Sequence, residues 1–386
     1  MTNSNLCQFP CCGVRGTAIM IRIRYSILLK RSTHAIRRNN FAGSFQLRCT
    51  IIPPHAFFDS IISMCISFIT TAHPKYPFIL LNNRDEFLSR PTARAHWWET
   101  PHQHVLGGRD LQRDVHGTWL AITRDGRIAN LTNFRDEDVE VALDRSRGAL
   151  PLAYVTPPTE QQDDDEAFVK RLVDDLDIQS VGGFTLLFGR FRKPKDGRVP
   201  GLAVVSNRTS STEEVKRLCT KIGDIDGLSN SHYGDRTWPK VVHGEELLKE
   251  AMQHPEDDEN AIISRLFAVL STDTLPKPRP GEPFQTFTRQ LRHSIFIPPV
   301  GGEEAEQKAA DKLASANGYQ APDNKADDVK VGSGVYGTQR QSVILVNHEG
   351  KVTFVERALY DGPRGQRVPE QERHRRFDFY IEGWSD

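Results

Sequence analysis

From residue 65 onward the chain is built of short apolar runs, alternating or continuous, broken by turn residues; this pattern predicts strands joined in hairpins. Cys65–Thr70 and Phe78–Asn83 read as the first pair, turning through His73-Pro74-Lys75-Tyr76-Pro77. A hairpin symmetric about Lys75 sets Cys65 opposite Arg84 or Asp85. Ile79-Leu80-Leu81 is apolar at consecutive positions, which predicts a strand buried on both faces. Gly117–Thr123 and Arg127–Thr132 pair around Asp125-Gly126. Gly183–Arg190 and Leu202–Asn207 follow, then Ser342–Asn347 with Val352–Glu356, and Phe377–Ile381. Helices are predicted over 163–177, where Phe168, Leu172 and Leu176 recur every fourth position, over Trp238–Met252, and over Glu259–Leu270. The stretch around Trp97–Asp110 reads as loop, Leu275–Pro283 as irregular and Glu303–Lys330 as a solvated polar insertion. About eight to ten strands in hairpins, with helices between pairs and no internal repeat, indicate an antiparallel α+β domain of two packed sheets with helices outside.

Charge divides the chain. Lys and Arg total 50, as do Asp and Glu; the first 63 residues hold eight of the basic residues and one acid, so the remainder carries a formal balance of −7. Residues 1–63 are therefore expected to be a separate basic leader and 64–386 a single domain with the insertion at about 303–330. The leader is Arg-rich, acid-poor and contains Ser, and Ile19–Leu29 mixes apolar residues with Arg22 and Arg24. Two readings stay open: a mitochondrial transit peptide, or upstream sequence ahead of a working start at Met64. Four of the six cysteines lie in the leader, which leaves Cys65 and Cys219 in the body and no disulfide framework. No stretch is long and apolar enough for a transmembrane helix, and an acidic body without basic-aromatic stripes argues against nucleic acid.

The candidate chemistry starts at Met64-Cys65. A chain beginning at Cys65 carries a thiol and a free α-amine on one residue, a nucleophile with its own base. Arg84 beside it would favour the thiolate, and Asp85 could hold the amine. Asn133, at the end of Leu131-Thr132-Asn133, and Asn230, in Gly227-Leu228-Ser229-Asn230, could each donate an amide to an oxyanion. Each has a structural alternative: Cys65 as a small core residue, Arg84-Asp85-Glu86 as a salt-bridged strand end, the asparagines as turn formers. Gly332-Ser333-Gly334-Val335-Tyr336-Gly337 matches GxGxxG but precedes a strand, so the dinucleotide reading fails and no cofactor is expected. His96, His102, His104 and His116 fall in a predicted loop with no carboxylate at ligand spacing, so no metal is expected.

Met64-Cys65-Ile66, Asn83-Arg84-Asp85-Glu86-Phe87, Arg90-Pro91, Gly117-Thr118-Trp119-Leu120, Leu131-Thr132-Asn133, Gly227-Leu228-Ser229-Asn230, Tyr336-Gly337-Thr338 and Val352–Arg357 occur in an order that resembles the NRDE family, the transport and Golgi organisation protein 2 family. That family is similar to the N-terminal nucleophile (Ntn) hydrolases. The resemblance implies an Ntn-hydrolase-like αββα sandwich of two mainly antiparallel sheets flanked by helices. It implies a site of Cys65, Arg84, Asp85, Asn133 and Asn230, and a later Arg. In this chain Gln339 separates Thr338 from Arg340, a displacement by one position that would turn Arg340 to the other face of a regular strand. The implied role is in Golgi organisation, secretion and lipid or haem handling, with a small, amphipathic, lipid- or haem-like ligand. The implied location is cytoplasmic, Golgi-associated or, through the leader, mitochondrial. The enzymatic alternative is a cysteine amidohydrolase of Ntn type cleaving a small amide.

Overall fold

The computed structural model describes residues 64–134, 146–157, 164–174, 178–196, 198–255, 258–277, 287–301, 334–362 and 365–384. The leader and the 303–330 insertion lie outside the described residues. The first strands are β1 (Ile66–Thr70), β2 (Phe78–Phe87), β3 (Thr92–Trp97), β4 (Val105–Asp110), β5 (Leu120–Thr123) and β6 (Arg127–Asn133). Helices α1 (Ala149–Val155) and α2 (Asp165–Asp174) precede β7 (Phe184–Arg190), β8 (Leu202–Ser206), β9 (Lys216–Leu218) and β10 (Ile225–Leu228). Helices α3 (Pro239–Ala251) and α4 (Glu259–Leu270) precede β11 (Val300–Gly301), β12 (Val335–Val346), β13 (Lys351–Ala358), β14 (Tyr360–Asp361), β15 (Gln366–Arg367) and β16 (His374–Tyr380).

Two seven-stranded sheets result, both antiparallel. The first runs β10-β1-β2-β12-β13-β16, with β11 also on β12; the second runs β3 to β9 in chain order. A small ribbon of β14 and β15 stands apart. The layers follow from the strand periodicity. In β2, Phe78 and Leu80 enter a core with Leu106, Leu120, Ile122 and Leu187 of the second sheet. Ile79 and Leu81, on the other face, pack with Val241 and Leu248 of α3 and Ile262 and Leu266 of α4. This explains the unbroken apolar run in β2. On the far side, Ala121, Ala129, Leu186 and Phe188 meet Leu150 and Tyr154 of α1 and Phe168 and Leu172 of α2. The order is helices, sheet, sheet, helices: an αββα sandwich of two antiparallel sheets.

Helix α3 reaches the first sheet through Gly244, where an added Cβ would stand 2.0 Å from Phe68 Cζ. The glycine lets the helix lie directly on a phenylalanine whose full burial contributes about 2–3 kcal/mol.

Several boundaries differ from expectation. Residues 92–110 form β3 and β4 rather than loop, so His96 sits on a strand, with its Nδ1 2.7 Å from Arg94 O. Both strands carry polar residues, and β4 also has the pair Gly107-Gly108, where a Cβ would collide with Leu120 O and with the Trp119 ring, so close packing suppressed the apolar signal. Helix α1, with Pro151 inside its seven residues, is too short for a periodic pattern. Strand β2 runs four residues beyond Asn83, so Arg84 and Asp85 lie on the strand itself. Among the described residues no helix is long and apolar enough to cross a membrane.

Candidate functional site

Strand β2 pairs with β1 as far as Asn83, opposite Ile66, and with β12 as far as Phe87, opposite Tyr336. The next position of the hairpin sets Cys65 beside Arg84, as the symmetry about Lys75 required. The buried Cys65 thiol donates to Asp85 O across 3.7 Å.

Alternation along β2 sends the two charged neighbours to opposite faces. Arg84 enters the space between the sheets. Its guanidinium lies over the Trp119 ring at 4.7 Å, donates to Gln339 Oε1, and stands 3.7 Å from Asp110 and 3.8 Å from Glu86. Asp85 points to the helix side. Its Oδ1 accepts from Thr338 Oγ1 at 2.7 Å, and Oδ2 stands 4.0 Å from Lys240 Nζ with both side chains sealed from solvent. Tyr336 donates its hydroxyl to Asp85 O at 3.0 Å. Lys240 also donates to Met64 O, while the Met64 side chain rests on Phe287, Leu291, Ile297 and Tyr336.

Burial sets the electrostatics. It pushes the Asp85 carboxyl up to about 6, against the pull of Lys240, Thr338 and Arg84. It pushes Lys240 down to about 8, opposed by Asp85 and then Cys65. Burial, followed by the Asp85 charge, drives the Cys65 thiol up to about 11. At neutral pH the thiol is protonated.

The two asparagines come together at the same end. Asn133 closes β6; Asn230 follows β10 and donates Nδ2 to Asn133 O. Ser229 Oγ stands 2.7 Å from Cys65 O and 3.2 Å from Asn230 Oδ1, which ties the pair to Cys65. The fold thus gathers all five expected residues, although the Asn230 amide is spent on backbone.

Arg340 behaves otherwise. Thr338 pairs with Asp85 and Arg340 with Arg84, so Gln339 is an extra residue on β12, a β-bulge. The bulge absorbs the insertion, so the expected reversal of faces does not occur. Both residues reach partners between the sheets: Gln339 meets Arg84, while Arg340 bonds to Thr92 Oγ1 at 3.1 Å, Asp361 Oδ1 at 3.0 Å and Tyr360 O. The late arginine is committed to β3 and β14, and Gln339 takes the position against Arg84.

Sequence reasoning did not single out Lys240, Ser229 or Gln339. Lys240 left one faint signal: directly after Pro239 at the start of α3, a lysine opposes the helix dipole and needs a compensating acid. Surface cavities of about 550 and 390 Å³ lie beside α2, lined by such residues as Lys170 and Ser211 or Arg190 and Arg217, and include none of the Cys65 group.

An uncharacterised protein of Saccharomyces cerevisiae is 28% identical over 340 residues, covering 82% of this chain and 100% of that one. The Transport and Golgi organization protein 2 homolog of Homo sapiens is 28% identical over 305 residues, 77% of this chain and 94% of its own. Among solved structures the chain is similar to an N-acylethanolamine-hydrolyzing acid amidase ortholog of Caenorhabditis elegans, at 14% identity and TM-score 0.36, covering 60% of this chain and 98% of that one. It is also similar to a mutant of the conjugated bile acid hydrolase of Clostridium perfringens, at 9% identity and TM-score 0.32, covering 82% and 92%. Likenesses of that size carry nothing about chemistry. The model of the family Transport and Golgi organisation 2 matches residues 64–361, and the chain belongs to that family.

Proposed function

We propose that this protein acts in Golgi organisation and transport, as its relatives are named for, through a small-ligand site at the Cys65 end of the sandwich that binds rather than cleaves. The observation that carries this reading is Met64. Its side chain packs against the apolar cluster of Phe287, Leu291, Ile297 and Tyr336, and its carbonyl is held by the buried Lys240. An apolar wall with a cation beside it suits an amphipathic molecule. Hydrolysis is less well supported, because the thiol is held up to about 11 and Arg340 is bound elsewhere. Lipid or haem-like ligands fit this chemistry, and the leader, if translated, directs the chain to mitochondria. The test is rescue of Golgi morphology and secretion in cells lacking the protein. Cys65→Ala is expected to rescue fully, and loss of rescue would overturn the binding reading.

One observation favours the second reading, a cysteine amidohydrolase. Asp85 Oδ2 is buried and accepts no hydrogen bond. The α-amino group of an N-terminal Cys65 would supply a donor nearby when protonated and, as the neutral amine, a base for the thiol. Intact-mass measurement of the natural protein decides it: a mature N-terminus anywhere but Cys65 sinks the self-activated mechanism.

A further inference from the structure

Strand β16 is the last of the first sheet, and among the described residues no strand pairs with its outer side. Ala358 N donates to Arg373 O and Ile381 N to Gly350 O, each across the register that joins Lys351 to Tyr380. Odd-numbered residues of β16 therefore bond to β13, and His374, Arg376, Asp378 and Tyr380 turn their N–H and C=O groups to the open edge. The strand is seven residues long, and such an edge is a template for a further strand. Its charged side chains are held in place. Arg376 Nε donates to Asp378 Oδ2 at 2.8 Å, Arg376 also pairs with Glu259 at the start of α4, and Asp378 Oδ1 accepts from Thr353 Oγ1 at 2.9 Å. The Arg376 and Asp378 side chains are nevertheless each 38% exposed, and Tyr380 is 65% exposed.

We propose that β16 pairs antiparallel with β16 of a second copy of this chain, about a two-fold axis at Phe377, so that the first sheets of the two copies join edge to edge. Parity and charge select the partner and the register. A two-fold strand pair must set outward-facing residues opposite outward-facing residues. Centred on Phe377, every residue of the strand finds an opposite: Arg376 faces the partner's Asp378, and His374 faces the partner's Tyr380, which covers the exposed aromatic ring. Centred one residue earlier, the register sets Arg376 against the partner's Arg376; centred one residue later, it sets Asp378 against the partner's Asp378. Both alternatives place like charges opposite and leave strand ends unpaired. A single sign of charge on an edge strand repels a second copy, whereas the alternation of Arg376 and Asp378 about Phe377 attracts one. The pairing supplies about eight backbone hydrogen bonds, two for each facing pair of outward residues. It makes no use of the Cys65 centre and is independent of the ligand reading.

Sedimentation velocity on the full chain tests this, with every variant measured well below its melting temperature. The wild type is expected to move from one chain toward two between about 1 and 200 µM, as a small interface dictates. Arg376→Asp and Asp378→Arg each turn two symmetry-related attractive pairs into like-charge contacts, so each alone should associate at least about tenfold more weakly. Both substitutions in one chain restore opposite charges in the Phe377-centred register and should bring association back to within about threefold of wild type. Tyr380→Pro removes one outward N–H, leaves the bonds to β13 in place and keeps both charges; it should also weaken association. A wild type that stays a single chain throughout would overturn the proposal, and protection of the Arg376 and Asp378 amides from hydrogen exchange in that chain would identify one of its own segments as the occupant of the edge. A dimer indifferent to the single substitutions and to Tyr380→Pro, or one that the double exchange does not recover, would overturn it as well.

Discussion

Replacing Lys240 with Met tests the buried charge pair most directly. Lys240 and Asp85 are fully sealed, 4.0 Å apart, and the lysine also caps the Met64 carbonyl. Removing one partner leaves a buried carboxylate without its cation, which costs about 3–5 kcal/mol in comparable sites. The pH dependence fixes the sign. The Asp85 carboxyl rises from 3.8 to about 6 on folding, so the folded state holds the proton more tightly. Stability is therefore lost as pH climbs through that interval, by about 3 kcal/mol at 1.4 kcal/mol per unit. Without Lys240 the folded carboxyl moves higher still, and the loss continues past pH 6. At pH 5 the carboxyl is already mostly protonated and the ammonium has little to compensate, so the substitution costs less. We expect Lys240→Met to lose about 3 kcal/mol at pH 7.5 and about 1–2 kcal/mol less at pH 5, with Asp85→Asn in the same chain recovering at least half at pH 7.5. Urea unfolding of the full chain, followed by tryptophan fluorescence at both pH values, measures this. Wild-type stability at pH 7.5, or a larger loss at pH 5, would refute the reasoning.

Three further outcomes can be checked. Gly244→Ala drives a methyl into the Phe68 ring, 2.0 Å from Cζ, and should cost about 1–3 kcal/mol in a thermal melt; Phe68→Leu in the same chain should relieve part of it. Asp85→Asn removes the charge that, after burial, does most to hold the thiol up, so iodoacetamide should modify Cys65 several-fold faster at pH 8 than in wild type; an equal or slower rate contradicts the assigned cause. Asn130 bridges the sheets, accepting from Ser67 Oγ at 2.6 Å and donating to Trp119 O at 3.1 Å. Asn130→Ala leaves the buried Ser67 hydroxyl without its acceptor, while Trp119 O keeps Leu131 N–H, and should lower chemical stability by about 1–3 kcal/mol, whereas a neutral result would mean that the sheets do not depend on that bridge.

The sandwich was readable because its hairpins announce themselves. A turn centred on Lys75 and the run Ile79-Leu80-Leu81 were enough to place β1 and β2 and to infer covering layers on both faces. β3 and β4 were not readable, since β3 buries only Ala95 and in β4 the apolar run stops after Val105-Leu106 at Gly107-Gly108. The site divides the same way. Cys65, Arg84 and Asp85 were visible because one hairpin joins them locally. Asn133 and Asn230 were visible singly as strand-end and turn amides, and their meeting was not, because β6 and β10 belong to different sheets. Lys240 arrives from α3, and no local spacing records that convergence.

The bulge at Gln339 bears on how such chains change over generations. A regular strand that gains one residue exchanges its buried and exposed sides beyond the insertion, and most such events are lethal to the core. Here the extra residue is confined to one kink: Thr338 still meets Asp85, and from Arg340 to Val346 every residue keeps a partner on β2. β12 is therefore a place where length can drift while the apolar layers stay intact. What drifts instead is the identity of the side chain facing Arg84, so a single insertion can retire one polar group from the centre and install another without a folding penalty to select against it.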